Sequence, residues 1–280
     1  MMMNKLMADD RYKGVVHPAA VGKVFRLERY LPEPDLAPFV EYFWLVVWQL
    51  PPGVVHVQRT LPSPCIHVVF DSGRSGVFGV MTGAFEYTLR DSGRVLGTRF
   101  RPGAFRGFLG RPVQSITDQE LPLSALFQCD DAAAERSVLD ASDDAGMVSA
   151  ASAILRSALP PHDPQVERIG AILQTIKGHP DITQVQQLAD QLGISVRRLQ
   201  LLFNEYVGAS PKWVIRRNRL LDAADQLANG THVDLATLAQ ALGYYDQAHF
   251  TTDFEKLVGK PPADYRRSCR HQRPETVKTL

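Results

Sequence analysis

The sequence predicts an α+β chain in which an N-terminal antiparallel β domain, a barrel or a sandwich, precedes an all-α domain of two helix-turn-helix units. Three observations predict it. Short runs rich in Val, Phe, Tyr and Trp, separated by Pro, Gly and Asp-Ser-Gly, fill much of the first half. Apolar residues three and four apart fill the second. The second half also repeats itself. Leu188, Ala189, Leu192 and Gly193 recur as Leu238, Ala239, Leu242 and Gly243; after a one-residue insertion, Leu199, Phe203, Val207, Gly208 and Pro211 recur as Phe250, Phe254, Val258, Gly259 and Pro262.

At 280 residues the chain exceeds the usual size of one domain, and its 45% hydrophobic content suits a sizeable core. The expected division is a tail at 1–22, a β-rich domain at 23–129, a helical segment and Pro-rich hinge at 130–164, a helical domain at 165–271 and a tail at 272–280. The first 22 residues mix Met, Lys, Asp and Arg and lack the apolar stretch of a signal peptide or anchor. The longest apolar run, 42–48, is far short of the roughly 20 residues that a spanning helix needs. Cys65, Cys129 and Cys269 have no paired spacing, so neither a zinc motif nor a disulfide framework follows. A cytoplasmic protein with no membrane partner is expected.

In the first half, Pro34-Asp35 is expected to open a helix over 36–44 with Leu36, Phe39, Val40 and Phe43 on one face. Strands are expected at 56–59, 66–70, 76–80, 86–89 and 95–100, with turns at Asp71-Ser72-Gly73 and Asp91-Ser92-Gly93. Alternation of Ile66, Val68 and Phe70 against Cys65, His67 and Val69 reads as a buried strand. Pro64-Cys65-Ile66-His67 has a superficial likeness to the nucleophilic cysteine motif of DNA alkyl transferases, which fails at the residue after Cys65. Barrel mouths commonly bind small molecules. The effector-pocket candidates are Trp44, Trp48, His56, His67, Tyr87 and Arg99, each of which has core packing or structural hydrogen bonding as its ordinary role. His56 and His67 lack a third ligand at a metal-binding spacing, and no metal or cofactor is expected. The region offers no convergent set of acids, bases and nucleophile, so no enzyme is expected.

Between the halves, Ala151, Ile154, Leu155, Ala158 and Leu159 lie at helical spacing before a stiff stretch from Pro160 to Pro164. Their apolar face serves either dimerisation or packing on the β domain. Further on, Gly193 and Gly243 end helices where the chain must turn left-handed. Ser195 and Asp246 cap the helices that follow, because a short side-chain oxygen accepts from an otherwise unpaired backbone N–H. These second helices, 195–207 and 246–258, point Leu199, Leu202, Phe203 and Tyr206, and Phe250, Phe254 and Leu257, inward. The opposite face carries Arg197, Gln200, Leu201 and Asn204 in the first unit. In the second it carries Gln247, Ala248, Thr251 and Thr252 beside Glu255, with His249 toward one edge. Arg reads a guanine edge, Gln and Asn read adenine, and Thr, Ala or Leu packs on a thymine methyl. The duplication favours double-stranded DNA as the partner over a merely solvated face.

These residues carry a resemblance. The stretch 166–270 resembles the DNA-binding domain of the AraC/XylS family of bacterial transcription regulators. The likeness is densest from Gly243-Tyr244 through Asp246-Gln247-Ala248-His249-Phe250 to Phe254, Lys256, Gly259, Pro261-Pro262 and Tyr265-Arg266. It implies seven helices, with a long central one over 211–227 holding the two units apart, through Trp213, Ile215, Leu220, Ala224 and Leu227. That helix carries Lys212, Arg216, Arg217 and Arg219. The last three, with Ser195 and Arg198, are candidates for phosphate contact, against the alternative of a solvated basic face with at least one cation paired internally. The weaker N-terminal likeness, through Arg99-Phe100-Arg101-Pro102-Gly103 and Leu121-Pro122-Leu123, implies a domain that binds a small-molecule effector or forms a homodimer. RNA polymerase is the family's usual further partner.

Where family members often present a basic or large polar residue, this chain has Leu201 and Thr252, which shifts weight toward phosphate contacts and DNA shape. Residues 166–273 hold 14 Lys and Arg against 11 Asp and Glu, an excess of +3 beside +1 for the whole chain. So mild an excess suits a sequence reader with placed cations more than a nonspecific coat. The expected function is sequence-specific transcription regulation, ligand-responsive or constitutive, with two helices in major-groove segments about 34 Å apart. The alternatives are an enzyme or DNA-repair protein whose β domain carries the chemistry on a helical DNA tether, and an architectural binder without an effector.

Overall fold

A computed structural model of the chain describes Gly22, residues 24–228 and residues 234–270. Apart from Gly22, the expected tails at 1–22 and 272–280 lie outside the described residues. The N-terminal half is two antiparallel sheets that do not close into a barrel. Strands β1 (Phe25–Tyr30), β2 (Val40–Gln49), β4 (His67–Phe70), β5 (Gly76–Phe78), β7 (Ser92–Phe100) and β8 (Glu120–Leu121) form a sheet in the order β1-β2-β7-β4-β5-β8. Strands β3 (Val55–Thr60) and β6 (Phe85–Arg90) form the second, two-stranded sheet.

The helix expected at 36–44 is a correction. Residues 36–40 make one helical turn, with Val40 N donating to Leu36 O at 2.8 Å, and the chain then enters β2. Two partners hold it extended, since Phe43 pairs with both Tyr30 and Thr98, and Leu45 with both Glu28 and Leu96. Cross-strand pairing and two-sided burial thus override a local helical period.

The large sheet separates two environments. Phe43, Leu45, Ile66, Val68, Phe70, Leu96 and Phe100 face a core completed by helix α1 (Phe105–Leu109), α2 (Asp131–Leu139) and α3 (Asp144–Arg156). Ala151 and Leu155 are fully buried there, and Ile154, Ala158 and Leu159 pack against it, so this apolar face lies on its own β domain. The opposite side of the sheet, with Phe25, Leu27, Trp48 and Val95, meets Leu89 of the small sheet.

Seven helices follow among the described residues: α4 (Gln165–Gly178), α5 (Val185–Gln191), α6 (Val196–Leu202), α7 (Pro211–Ala228), α8 (Leu235–Ala241), α9 (Gln247–Val258) and α10 (Pro262–Arg270). Helix α6 continues through a wider turn over Phe203–Val207. The first helix-turn-helix unit shares the N-terminal core through Ile169, Ile172, Leu199, Phe203 and Val207. The second has its own, of Leu220, Leu227, Leu238, Phe250, Phe254 and Leu257. No helix among the described residues is long and apolar enough to cross a membrane.

The Pro-rich segment is docked. Pro160 fills the space beside Gly107, where a Cβ would lie 2.7 Å from its ring, and Tyr206 donates its hydroxyl to Asp163 at 2.8 Å.

Candidate DNA interface and inter-sheet cavity

Each unit turns at a glycine and restarts at a cap. Gly193 and Gly243 have φ of 63° and 68°, in the region that glycine enters without strain. Ser195 Oγ accepts from Arg198 N at 3.2 Å, and Asp246 Oδ1 accepts from His249 N at 2.8 Å. With Leu199, Leu202, Phe203, Phe250, Phe254 and Leu257 buried, the other faces of α6 and α9 are left in solvent. Arg197, Arg198, Gln200, Gln247, Ala248, His249 and Thr252 are exposed, and Asn204 and Thr251 are half-buried. Leu201 stands 49% exposed among them. Thr252 Oγ1 donates to Ala248 O at 3.0 Å, leaving its methyl group as a contact surface.

The basic residues of α7 divide. Arg216 reaches Asp253 on α9 at 3.4 Å, and Tyr244 donates its hydroxyl to the same carboxylate at 3.3 Å, so the long helix is tied to α9. Two phosphate candidates are corrected. Arg217 is directed into the N-terminal half, where its Nε donates to Pro62 O and burial, opposed by Cys65 and reinforced by the charge of Arg99, lowers its pKa to about 10. Arg219 is buried over the Tyr244 ring, 5.4 Å from its centroid. The family resemblance implied that these cations share one helix, without implying that other elements cover two of them. Sequence reasoning missed Tyr245, 95% exposed in the turn before α9. Its only signal was the pair Tyr244-Tyr245, of which one ring anchors and the other is left outside.

The cavity lies between the two sheets and holds about 250 Å³. Of the six expected pocket residues, Trp44, Trp48, His67, Tyr87 and Arg99 line it. His56 does not; it sits 6.0 Å from the Phe25 ring and hydrogen-bonds Gln58 at 3.3 Å. Cys65 is buried in the wall, and burial raises its thiol pKa, which keeps it protonated and poorly nucleophilic. Missing from the sequence reading were Arg29 and Tyr42, both on strands it did not resolve.

The arrangement follows the strand register. Tyr42 pairs with Arg99, Arg99 with His67, and Trp44 with Arg29 and Gly97. A Cβ at Gly97 would lie 2.1 Å from the Trp44 ring, and one at Gly93 would lie 2.3 Å from the Trp48 ring. Only glycine on β7 leaves room for both indoles. Trp44 Nε1 donates to His67 Nδ1 at 3.2 Å, which places the His67 proton on Nε2. Burial, then the charges of Arg99 and Arg29, push the His67 pKa down to about 3. Arg99 is held by Glu41 at 2.6 Å and Ser63 Oγ at 3.0 Å. At the other end, Tyr87 donates its hydroxyl to Asp71 at 2.8 and 2.9 Å.

The cavity wall also touches the helical domain. Leu61 and Pro62 line the cavity; Leu61 also packs on the core of the second unit, while Pro62 O receives Arg217. Beside them, Arg59 Nη1 donates to Gly259 O at 2.7 Å. Trp213 Nε1 donates to Thr82 O at 3.2 Å, next to the lining residue Met81. The first unit is held by Thr117 Oγ1 donating to Gly208 O at 2.5 Å and by the Arg106–Glu205 pair at 2.5 Å.

Comparison with known proteins divides the chain in the same way. Residues 28–122 match a family described as a domain of unknown function, and residues 188–268 match one described as a helix-turn-helix domain. The transcriptional activator RhaS of Pectobacterium atrosepticum is 34% identical over 85 residues, 30% of this chain and 29% of RhaS. The arabinose operon regulatory protein of Escherichia coli is 28% identical over 111 residues, 39% of this chain and 37% of that protein. The chain thus covers well under half of the length of either relative. The solved DNA-binding domain of the global transcriptional factor AdpA, in complex with a target DNA, is 24% identical, covering 41% of this chain and 99% of its own with a TM-score of 0.33. On the sequence matches, the duplicated unit at the C-terminal end of this chain is an AraC-type helix-turn-helix domain.

Proposed function

We propose that this chain is a sequence-specific transcription regulator that reads DNA with α6 and α9 and is modulated by a small molecule held between its two N-terminal sheets. The observation that carries the DNA reading is the pair of capped helices whose inner faces are buried and whose outer faces leave Arg197, Gln200 and Leu201, and Gln247, Ala248 and Thr252, in solvent. Exposing about half of a leucine on a helix otherwise amphipathic is unfavourable unless a partner covers it, and a thymine methyl does so. Arg197 and Gln200 are assigned to bases in one major-groove segment, with Asn204 at its margin; Gln247 and Thr251 are assigned to the next, with His249 at the edge. Arg198, Ser195 and Tyr245 are assigned to phosphates.

Because the two helices differ, each subunit reads an asymmetric site. Selection from a random DNA library should return two unlike boxes about one helical turn apart. Arg197→Ala should relax one box and Gln247→Ala the other, each costing about 1–3 kcal/mol of discrimination at its own position. A selected site without two boxes, or relaxation of the same box by both substitutions, would overturn the assignment.

A further inference from the structure

We infer that the inter-sheet cavity takes a neutral aromatic molecule of one or two fused rings and excludes acids and amines of the same shape. The inference rests on the effector reading and supplies its chemistry. The strand register lays out one wall. Tyr42, Arg99 and His67 stand in one row across β2, β7 and β4, and Trp44, Gly97 and Val69 stand in the next. Trp48 and Gly93 pair further along β2 and β7. The two glycines give the two indoles room over β7, where a Cβ would collide with each ring. Phe25 and Leu89 continue this apolar surface.

The charged groups of the lining are already engaged by the protein. Arg99 is held by Glu41 and Ser63. Asp71 accepts from Tyr87 on both oxygens, and Arg74 pairs with Glu120 at 2.5 Å. Arg29 is buried over the Tyr42 ring, 4.5 Å from its centroid, and is not without a partner. His67 stays neutral at physiological pH and uses its acceptor nitrogen on Trp44. A charged ligand would have to give up its water and then displace a partner from one of these contacts. Burying an ion without such compensation costs far more than burying a neutral ring.

The apolar middle sets the body. About 250 Å³ exceeds the roughly 150 Å³ that suffices for benzene in an apolar protein cavity, and lies just under the roughly 300–1,000 Å³ typical of drug-sized ligands. That space suits one ring system with at most a short substituent. Trp44, Trp48, Phe25, Phe78 and Phe85 line it with aromatic rings, which favour an aromatic body over a saturated one of equal size through edge-to-face and offset contacts. A sugar would need paired donors and acceptors along its length, and the middle of this cavity offers those rings and Val69 instead.

Calorimetric titration of the full chain tests this with four compounds of one shape: 2-naphthol, its saturated counterpart decahydro-2-naphthol, 2-naphthoate and 2-naphthylmethylamine. The naphthol should bind at least about 30-fold more tightly than the acid or the amine, and about 3- to 10-fold more tightly than the saturated alcohol. Val69→Phe, which fills the middle of the cavity, should abolish naphthol binding while leaving affinity for a DNA fragment selected by the chain unchanged. Glu41→Gln removes the carboxylate that holds Arg99 from outside the lining. It should raise affinity for 2-naphthoate about 10-fold, a gain that an unfolded variant cannot give. Acid or amine binding as tightly as naphthol, no preference over the saturated alcohol, or no binding by any of the four overturns the neutral aromatic assignment. So does naphthol binding that survives Val69→Phe, or Glu41→Gln without a gain. The effect of each ligand on DNA affinity is measured alongside. If only the acid or the amine binds and shifts it, the effector reading stands while the neutral class falls; if naphthol binds and leaves it unmoved, the ligand class stands while the regulatory reading falls.

Discussion

His67 shows how one side chain acquires properties its type does not have. On a strand that alternates between two environments, it lies on the cavity side, accepts from Trp44 and is half-buried. Its pKa falls from the ordinary 6.5 to about 3, with burial the larger cause. In the folded protein it therefore stays neutral while the unfolded chain takes up a proton as pH drops below about 6.5. The unfolded state then binds more protons, and stability is lost as pH falls, the loss growing until pH reaches the folded value. By pH 5 the cost is about 2 kcal/mol. His67→Gln keeps an acceptor for Trp44 and removes the titration. Urea unfolding at pH 7 and pH 5 should show wild type losing about 2 kcal/mol more than the variant. Equal losses would mean that His67 titrates normally in the fold. The same side chain is thus unsuited to act as a pH switch between pH 6 and 8, although a histidine's ordinary pKa invites that role.

At the scale of elements, caps and covering strands decide what is legible. Asp246 should contribute to α9 through its bond to His249 N, and Asp246→Ala should cost about 1 kcal/mol of stability. The loss belongs to the second unit, so thermal unfolding should shift and the box read by α9 should weaken before that read by α6. An unchanged unfolding midpoint would remove the cap from the account. Helices of this kind are written locally, in a cap, a turn glycine and apolar spacing, and that is why α6 and α9 could be read from the sequence almost to their ends, and α5 and α8 at their closing glycines. Strand β2 was not legible in that way. Leu36, Phe39, Val40 and Phe43 have helical spacing, while the evidence for a strand lies in pairing with β1 and β7, residues remote along the chain. Missing β1 and β2 also hid Arg29 and Tyr42 of the cavity lining. Trp44, Trp48, His67, Tyr87 and Arg99 were still found, because aromatic and ionisable residues in a β-rich segment stand out by type alone. Arg217 and Arg219 misled for the converse reason: a basic helix face looks alike in sequence whether solvent, DNA or another domain covers it.

For the whole molecule, the duplicated glycines that follow α6 with its wider turn and α9 make one further point. Gly208 and Gly259 are equivalent positions of the repeat, with φ of 78° and 81°, and the N-terminal half binds the carbonyl of each, through Thr117 and Arg59. A side chain is strained at both by the positive φ, and at Gly208 a Cβ would also lie 2.9 Å from Val113 Cγ1, whereas at Gly259 it would meet the mobile end of Arg59 at 2.8 Å. The N-terminal half therefore grips both helix-turn-helix units at matching points, one through a shared core and the other through Arg59 and Leu61. Such a brace fixes how far and at what angle α9 stands from α6, and so, on the function proposed above, sets the spacing of DNA boxes that the protein would accept. One added base pair rotates the second box by about a tenth of a turn around the duplex. A braced protein should reject that site, and one held by α7 alone should adapt. Arg59→Gln leaves every cavity-lining side chain in place while removing the charged bond to Gly259. It should lower the penalty for a site lengthened by one base pair by about 1.5–3 kcal/mol, with little change at the correctly spaced site. Binding of both sites would be measured at one fixed salt concentration, because phosphate contacts make absolute affinity salt-dependent. An unchanged spacing penalty would assign the geometry to α7 and the Arg216–Asp253 pair instead.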